Sequence, residues 1–173
     1  WFWCPQEKID TQEADDRANY KAWQRDGWLT ATPGNVTDYK PIEATIRQSV
    51  TEYEVVSIGF DRWNAQQLSN TLTDDGLPLV DVAQNTAGMH PGSQKLEILV
   101  YGQKLRHRSN PVLAYCADNV ALLMDSNGNF RPDKKRSKVN GRIDGIVATC
   151  IALSRAVHEM GGNSFWETTN ATP

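Results

Sequence analysis

The run EYEVVSIGFD, residues 52–61, constrains the fold more than any other stretch of the chain. Val55, Val56, Ile58 and Phe60 leave almost no polar position between them. A strand exposed on one face alternates apolar with polar, whereas a near-continuous apolar run is the mark of a strand buried on both faces. Such a strand needs neighbours. Leu77 to Val82 reads as a second strand, and a short helix, about Asn64 to Thr73, lies between the two, closed by Asp75-Gly76. Strands alternating with helices imply an α/β sheet covered on both faces. Ligand groups in such sheets collect at the carboxyl ends of the strands, which is where Asp61 stands.

The remaining segments supply the cover. Trp1 to Cys4 reads as a strand end, stopped by Pro5. About Asp10 to Asp26 reads as a polar helix, with Ala14, Ala18 and Ala22 four apart and Gly27 as its stop. TATPGNVTDY, residues 30–39, reads as a loop. Asp38 then suits the N-cap of a helix running to about Val50, with Pro41 in its first turn. Pro91 to Gln103 suggests another helix, and Lys104 to His107 a short strand. Pro111 opens a helix along which Val112, Cys116, Val120 and Leu123 recur at helical spacing, before Asn127-Gly128 turns the chain. Phe130 to Arg142 reads as a basic loop. The last helix starts near Asp144, with Ile146, Val147, Cys150, Ile151, Leu153 and Val157 forming its apolar stripe. Residues 1–160 therefore form one domain, and 161–173 a polar, glycine-rich tail.

Composition narrows the function. Eighteen Lys+Arg against 21 Asp+Glu give a net charge of −3, so the chain carries no global nucleic-acid footprint and any such binding must be local. No apolar run approaches the about 20 residues of a membrane-spanning helix, and no secretory signal is visible. Three cysteines, Cys4, Cys116 and Cys150, lie far apart with no CxxC pair, which argues against a disulfide framework or structural zinc and for a reducing, intracellular setting. GxSxG, GxxxxGK[ST], HExxH and GxGxxG are all missing, so ATP hydrolysis is not assigned to these residues. The chain opens at Trp1 on an apolar WFWCP, which reads as a domain drawn from a longer polypeptide.

Asp61, in GFDRW, and Asp144, in RIDG, carry the chemistry. Each suits a helix N-cap, and a carboxylate at a helix start is stabilised by the dipole whatever its task. Together, at element ends that converge, they are the oxygen donors that Mg²⁺ or Mn²⁺ prefers. Two such ions about 4 Å apart activate water and stabilise the leaving oxygen in phosphodiester cleavage. Two aspartates are too few for that site, and a third is needed. Lys134, Lys135, Arg136, Lys138 and Arg142 just before Asp144 form either a solvated loop or a phosphate clamp. Arg62, Arg106 and Arg108 add positive charge near the same edge, and His107 and Asn110 either point into it or shape the turn before Pro111. Asn119, in an apolar helix, suits a loop tie. His90 and His158 have no obvious partners.

The succession W-x-CP, AWQRDGWLTATPGNVTDY, IGFDRW, KLRHRSNPVLAYCADNV, a Lys-rich loop and RIDGIVATCIALSRA resembles the C-terminal nuclease domain of the large terminase subunit of tailed double-stranded DNA phages, over about Trp3 to Ala156. The resemblance implies a ribonuclease H-like α/β fold, a mixed sheet flanked by helices, and a Mg²⁺- or Mn²⁺-dependent endonuclease that cuts concatemeric double-stranded DNA. It further implies an N-terminal ATPase domain in the same polypeptide, a small terminase subunit and a portal protein as partners, and the host cell cytoplasm as location. The family's second metal-binding aspartate matches Asp61 and its IDG aspartate matches Asp144, while its His-x-x-Asn-Pro stretch matches His107, Asn110 and Pro111. Its first metal-binding aspartate belongs to a strand that would precede Trp1, so the expectation is a nuclease domain without its first strands, with an exposed sheet edge. The other reading that the residues allow is a non-catalytic DNA-binding or portal-docking module, with both aspartates as caps.

Overall fold

A computed structural model describes residues 1–11, 19–137 and 141–159. Its order is β1 (Trp3–Pro5), α1 (Gln6–Thr11), α2 (Tyr20–Arg25), β2 (Thr30–Thr32), α3 (Lys40–Glu52), β3 (Ile58–Phe60), α4 (Arg62–Asp74), β4 (Leu79–Asp81), α5 (Thr86–Tyr101), α6 (Pro111–Asn119), β5 (Leu122–Met124), β6 (Phe130–Pro132) and α7 (Asp144–Glu159). Among the described residues the strands pair two by two: β1 with β2 and β3 with β4, both parallel, and β5 with β6 antiparallel. The chain is thus a mixed α/β structure of helices and small sheets. The expected tail 161–173 and part of the expected helix from Asp10 to Asp26 lie outside the described residues.

α7 is the element that joins the parts. Its middle crosses α5 so closely that Gly92 N–H donates to Ser154 Oγ at 3.0 Å. Cys150 and Ile151 on α7 pack with Met89 and Val82 into one core, against which Leu96, Ile146 and Val147 lean. β3 lies on the other side of the same helix: a Cβ on Gly59 would stand 2.7 Å from Ile151 and 2.9 Å from Arg155. At its start α7 meets the second core, because Gly145 fits against Phe2 and Leu113. That second core holds Cys4, Ile9, Tyr20, Trp23, Leu29 and Val112.

Several sequence expectations are corrected. The double-sided strand shrinks to Ile58–Phe60, all half-buried, and Val56 is 65% exposed. Pairing with β4 begins only at Ile58↔Leu79, so 54–57 have no ladder to join. Thr30–Thr32, expected in a loop, is a strand that runs beside Trp3–Pro5, with Thr30 N–H donating to Phe2 O at 2.8 Å. Asp38 acts one residue outside the expected cap: Tyr39 is the N-cap, and Asp38 Oδ1 accepts from Lys40 N–H. α5 starts at Thr86, where Asn85 caps Gly88 N–H, so Pro91 falls inside the helix instead of opening it. Lys104 to His107 form no strand, and the chain around them takes left-handed turns at Gln103, Arg108 and Ser109. α6 ends at Asn119, and Leu123 belongs to a hairpin around Asn127-Gly128 rather than to the helix.

His90, expected without a partner, holds that hairpin. Its Nδ1 accepts from Phe130 N–H at 3.1 Å, and its ring meets the Phe130 ring edge-on at 5.2 Å. Replacing His90 with alanine leaves a partly buried N–H without its acceptor and removes the ring contact, a loss of about 1–3 kcal/mol. Urea unfolding checks this, and an unchanged midpoint would show that the hairpin is held by other means.

Candidate functional site

Asp61 follows directly from the last residue of β3 and caps α4, its Oδ1 accepting from Trp63 N–H at 3.1 Å. The capped turn is set off from the rest of α4 by non-helical dihedrals at Ala65. In the neighbouring strand Asp81 stands opposite Phe60, and Arg62 Nε lies 3.1 Å from its Oδ2. Arg62 is therefore paired, although the pair is exposed enough to be weak. Asp81 had no signal of its own in the sequence beyond ending a short strand.

Asp144 is the first residue of α7, with its side chain 67% exposed and Lys134 Nζ at 3.7 Å. The path of β3 relates it to Asp61. Arg155 Nε bonds Ser57 Oγ, while Gly59 lies beside both Ile151 and Arg155. β3 thus rests against the middle and C-terminal half of α7, so the strand that ends at Asp61 and the helix that Asp144 opens pack on one another.

The basic segment is built by Asp133, a residue that the sequence reading passed over. It is 7% exposed. Its Oδ1 accepts from Lys135 N–H, its carbonyl accepts from Ser137 Oγ at 2.7 Å, and Arg136 lies 3.5 Å from its carboxylate. Ser137 Oγ also lies 3.3 Å from Ala121 N, which it accepts, tying the turn to the start of the hairpin. The turn presents Lys134, Lys135 and Arg136 to solvent, next to Asp144. Lys138 lies outside the described residues. Arg142 goes elsewhere: it hydrogen-bonds the Tyr20 hydroxyl, whose titration is pushed up to about 12 mainly by burial. It stands in a cavity with Asp144, Tyr20 and Cys4.

The other candidates separate from this cluster. Asn110 caps α6, its Oδ1 accepting from Val112 N–H and Leu113 N–H. Arg106 and His107 are exposed on the segment leading into it. Asn119 is buried, donates to Tyr115 O, and packs against Gly141, as a loop tie does. The three cysteines are buried, and burial pushes each thiol above its ordinary value, so none is poised as a nucleophile.

Asp61 and Asp144 each offer carboxylate oxygens, the donors that suit a hard divalent cation. Asp61 keeps one carboxylate oxygen outside its cap bond, and Asp144 is open to solvent. Among the described residues no group of three or more His, Cys, Asp or Glu gathers tightly enough to hold an ion. None of the described helices is long and apolar enough to cross a membrane.

Residues 4–159 match the family model for the terminase large subunit, endonuclease domain. The chain belongs to that family. It is 38% identical over 168 residues to the terminase large subunit of Enterobacteria phage HK97, covering 94% of this chain and 33% of the relative. It is 27% identical over 162 residues to Protein YmfN of Escherichia coli (strain K12), covering 90% of this chain and 35% of that protein. The crystal structure of the HK97 bacteriophage large terminase superposes with a TM-score of 0.79 at 35% identity, over 88% of this chain and 32% of that one. The chain therefore spans about a third of the length of these relatives, and the terminase endonuclease fold accounts for nearly all of it.

Proposed function

We propose that this terminase nuclease domain is a Mg²⁺- or Mn²⁺-dependent endonuclease of ribonuclease H-like fold, cutting concatemeric double-stranded DNA during phage genome packaging. What supports the reading is that Asp61 follows β3 and Asp144 opens α7, the helix on which β3 rests, with Lys134 beside Asp144, in a chain whose family is that of terminase endonucleases. Asp61 and Asp144 would hold the cations, with further oxygen ligands from a strand upstream of Trp1. Bound there, divalent ions supply an activated water and stabilise the leaving oxygen in phosphodiester hydrolysis. Lys134, Lys135 and Arg136 grip backbone phosphates, which gives affinity and orientation without sequence preference. Arg62, Arg106, His107, Lys138 and Arg142 extend that contact as proposed DNA-binding residues, Arg142 being the least available because Tyr20 engages it.

The proposed partners are the DNA, an ATPase domain in the same polypeptide, a small terminase subunit and a portal protein, in the host cytoplasm. The test is cleavage of supercoiled plasmid with Mn²⁺ by this chain and by a version extended upstream. Cleavage by the extended form alone places the remaining ligand upstream. Cleavage by both means that residues of this stretch complete the site. Failure of both, with folded protein, would replace the nuclease reading by that of a DNA-binding or portal-docking module.

A further inference from the structure

Trp63 is 88% exposed, the most exposed large apolar side chain of the described residues. A solvated indole is an unusual thing to leave on a surface, since burying an aromatic ring is among the larger gains that folding offers. The ring pairs among the described residues are Tyr20–Trp23, Trp23–Tyr115 and His90–Phe130, and Trp63 belongs to none of them. Its position is fixed nonetheless. Its own N–H is held by the Asp61 carboxylate, so the indole stands two residues from a proposed cation ligand. α4 has non-helical dihedrals at Ala65, two residues past the ring, so the turn that carries Trp63 is set off from the rest of the helix.

The surroundings indicate what the ring meets. A protein-docking patch is contiguous and apolar at its centre. Around Trp63 the exposed residues are instead Arg62, Gln66, Gln67 and Asn70, a cation and three amides. α4 has no acidic residue in its first turn, and the negative charges near the ring are Asp61, which caps the helix, and Asp81, which pairs with Arg62. One flat apolar ring among a guanidinium and amides is the composition of a nucleic-acid surface, where aromatics stack on bases or wedge between base steps while polar groups hold the backbone. We propose that Trp63 inserts against the bases or sugars of duplex DNA beside the scissile phosphate, fixing the strand relative to Asp61. The inference rests on the reading of Asp61 and the basic turn as a DNA-cleaving site, and it adds a contact that is independent of charge.

The test is binding of a short blunt DNA duplex to this chain in EDTA, so that no cleavage intervenes, read by anisotropy and by tryptophan fluorescence. Trp63→Ala is expected to weaken binding about tenfold or more, with little change in the salt dependence, because stacking is not counterion release. Trp63→Phe keeps most of the affinity while losing the fluorescence quenching that duplex causes in the parent. The double variant Lys134→Ala/Lys135→Ala weakens binding and flattens the salt slope. If Trp63→Ala binds as the parent does while the lysine variant is weakened, the Trp63 contact is refuted and the cleavage-site reading stands. If Trp63→Ala alone is weakened, the contact holds and the phosphate-gripping role of the turn falls. If neither is weakened, or the parent does not bind duplex, both are wrong. A melting temperature lowered by several degrees in Trp63→Ala would mark the ring as structural and overturn the proposal.

Discussion

Gly92→Ala is expected to lower the melting temperature of this chain by about 2–12 °C. A Cβ on Gly92 would stand 2.5 Å from Ser154 Oγ and would overlap the Cys150 carbonyl. Neither neighbour yields easily: the carbonyl is part of the α7 backbone, and Cys150 is buried in the core. Overpacking of this kind costs roughly 1–3 kcal/mol. Pushing the helices apart also stretches the Gly92 N–H to Ser154 Oγ bond, worth about 1 kcal/mol. Against this, alanine improves helix propensity by up to about 1 kcal/mol. The net is roughly 1–3 kcal/mol, and each kcal/mol is about 2–4 °C for a chain of this size. Ser154→Ala serves as the companion variant, because it removes the Oγ bonds to Gly92 N–H and Gly88 O without adding volume, and should lose about 1–3 kcal/mol through lost hydrogen bonds alone. A Gly92→Ala chain that melts at or above the parent temperature would mean that α5 and α7 do not approach this closely. The consequence reaches the candidate site, since α7 sets where Asp144 stands and β3 rests on the same helix.

The features legible in the sequence were those with a local cause. Asp61 ends an apolar run and starts a helix, so its cap geometry could be read from GFDRW alone. Asn110 before Pro111 and glycine after the α4 stop are likewise decided within a few residues. What escaped depended on partners distant in the chain. Val55 and Val56 have the composition of a buried strand, but β4 reaches only as far back as Ile58, so they remain outside the ladder. Thr30–Thr32 is a strand because Trp3–Pro5 lies beside it, and TATPG carries no trace of that. Leu123 fits a helical repeat from Val112 by coincidence, although Asn127-Gly128 between two apolar triplets was a readable hairpin signal. Asp133 offered a weaker one: Pro-Asp-Lys-Lys is the sequence of a turn, but its burial depends on the hairpin that brings Ala121 alongside. His90 could not be paired from sequence because its acceptor role is defined by a residue 40 positions away. For the same reason the sequence could nominate Asp61 and Asp144 separately, yet could not show that the strand before one packs on the helix that begins at the other.

The proposed ligand roles of Asp61 and Asp144 are tested most sharply by the amide variants, in whichever form of the chain cleaves plasmid. Asparagine is nearly isosteric with aspartate and as good an N-cap, so Asp61→Asn should keep the bond to Trp63 N–H and melt within about 0.5 kcal/mol of the parent. Asp144→Asn loses a favourable charge at a helix start, about 0.3–1 kcal/mol. Its ion pair with Lys134 is exposed on both sides and adds little. Stability therefore changes hardly at all, and the chemistry is isolated. Altering a residue that merely orients a metal ligand reduces activity by about 10–100-fold. Removing a ligand itself should reduce it by roughly a hundredfold or more, since several kcal/mol of transition-state stabilisation depend on the ion. Binding of duplex without metal should stay equal or tighten, because each variant removes a negative charge facing phosphate. That combination, lost cleavage with retained fold and undiminished DNA binding, is specific to cation ligands. If both variants cut as the parent does, Asp61 and Asp144 are helix caps only, and the ligands of the nuclease lie on other residues.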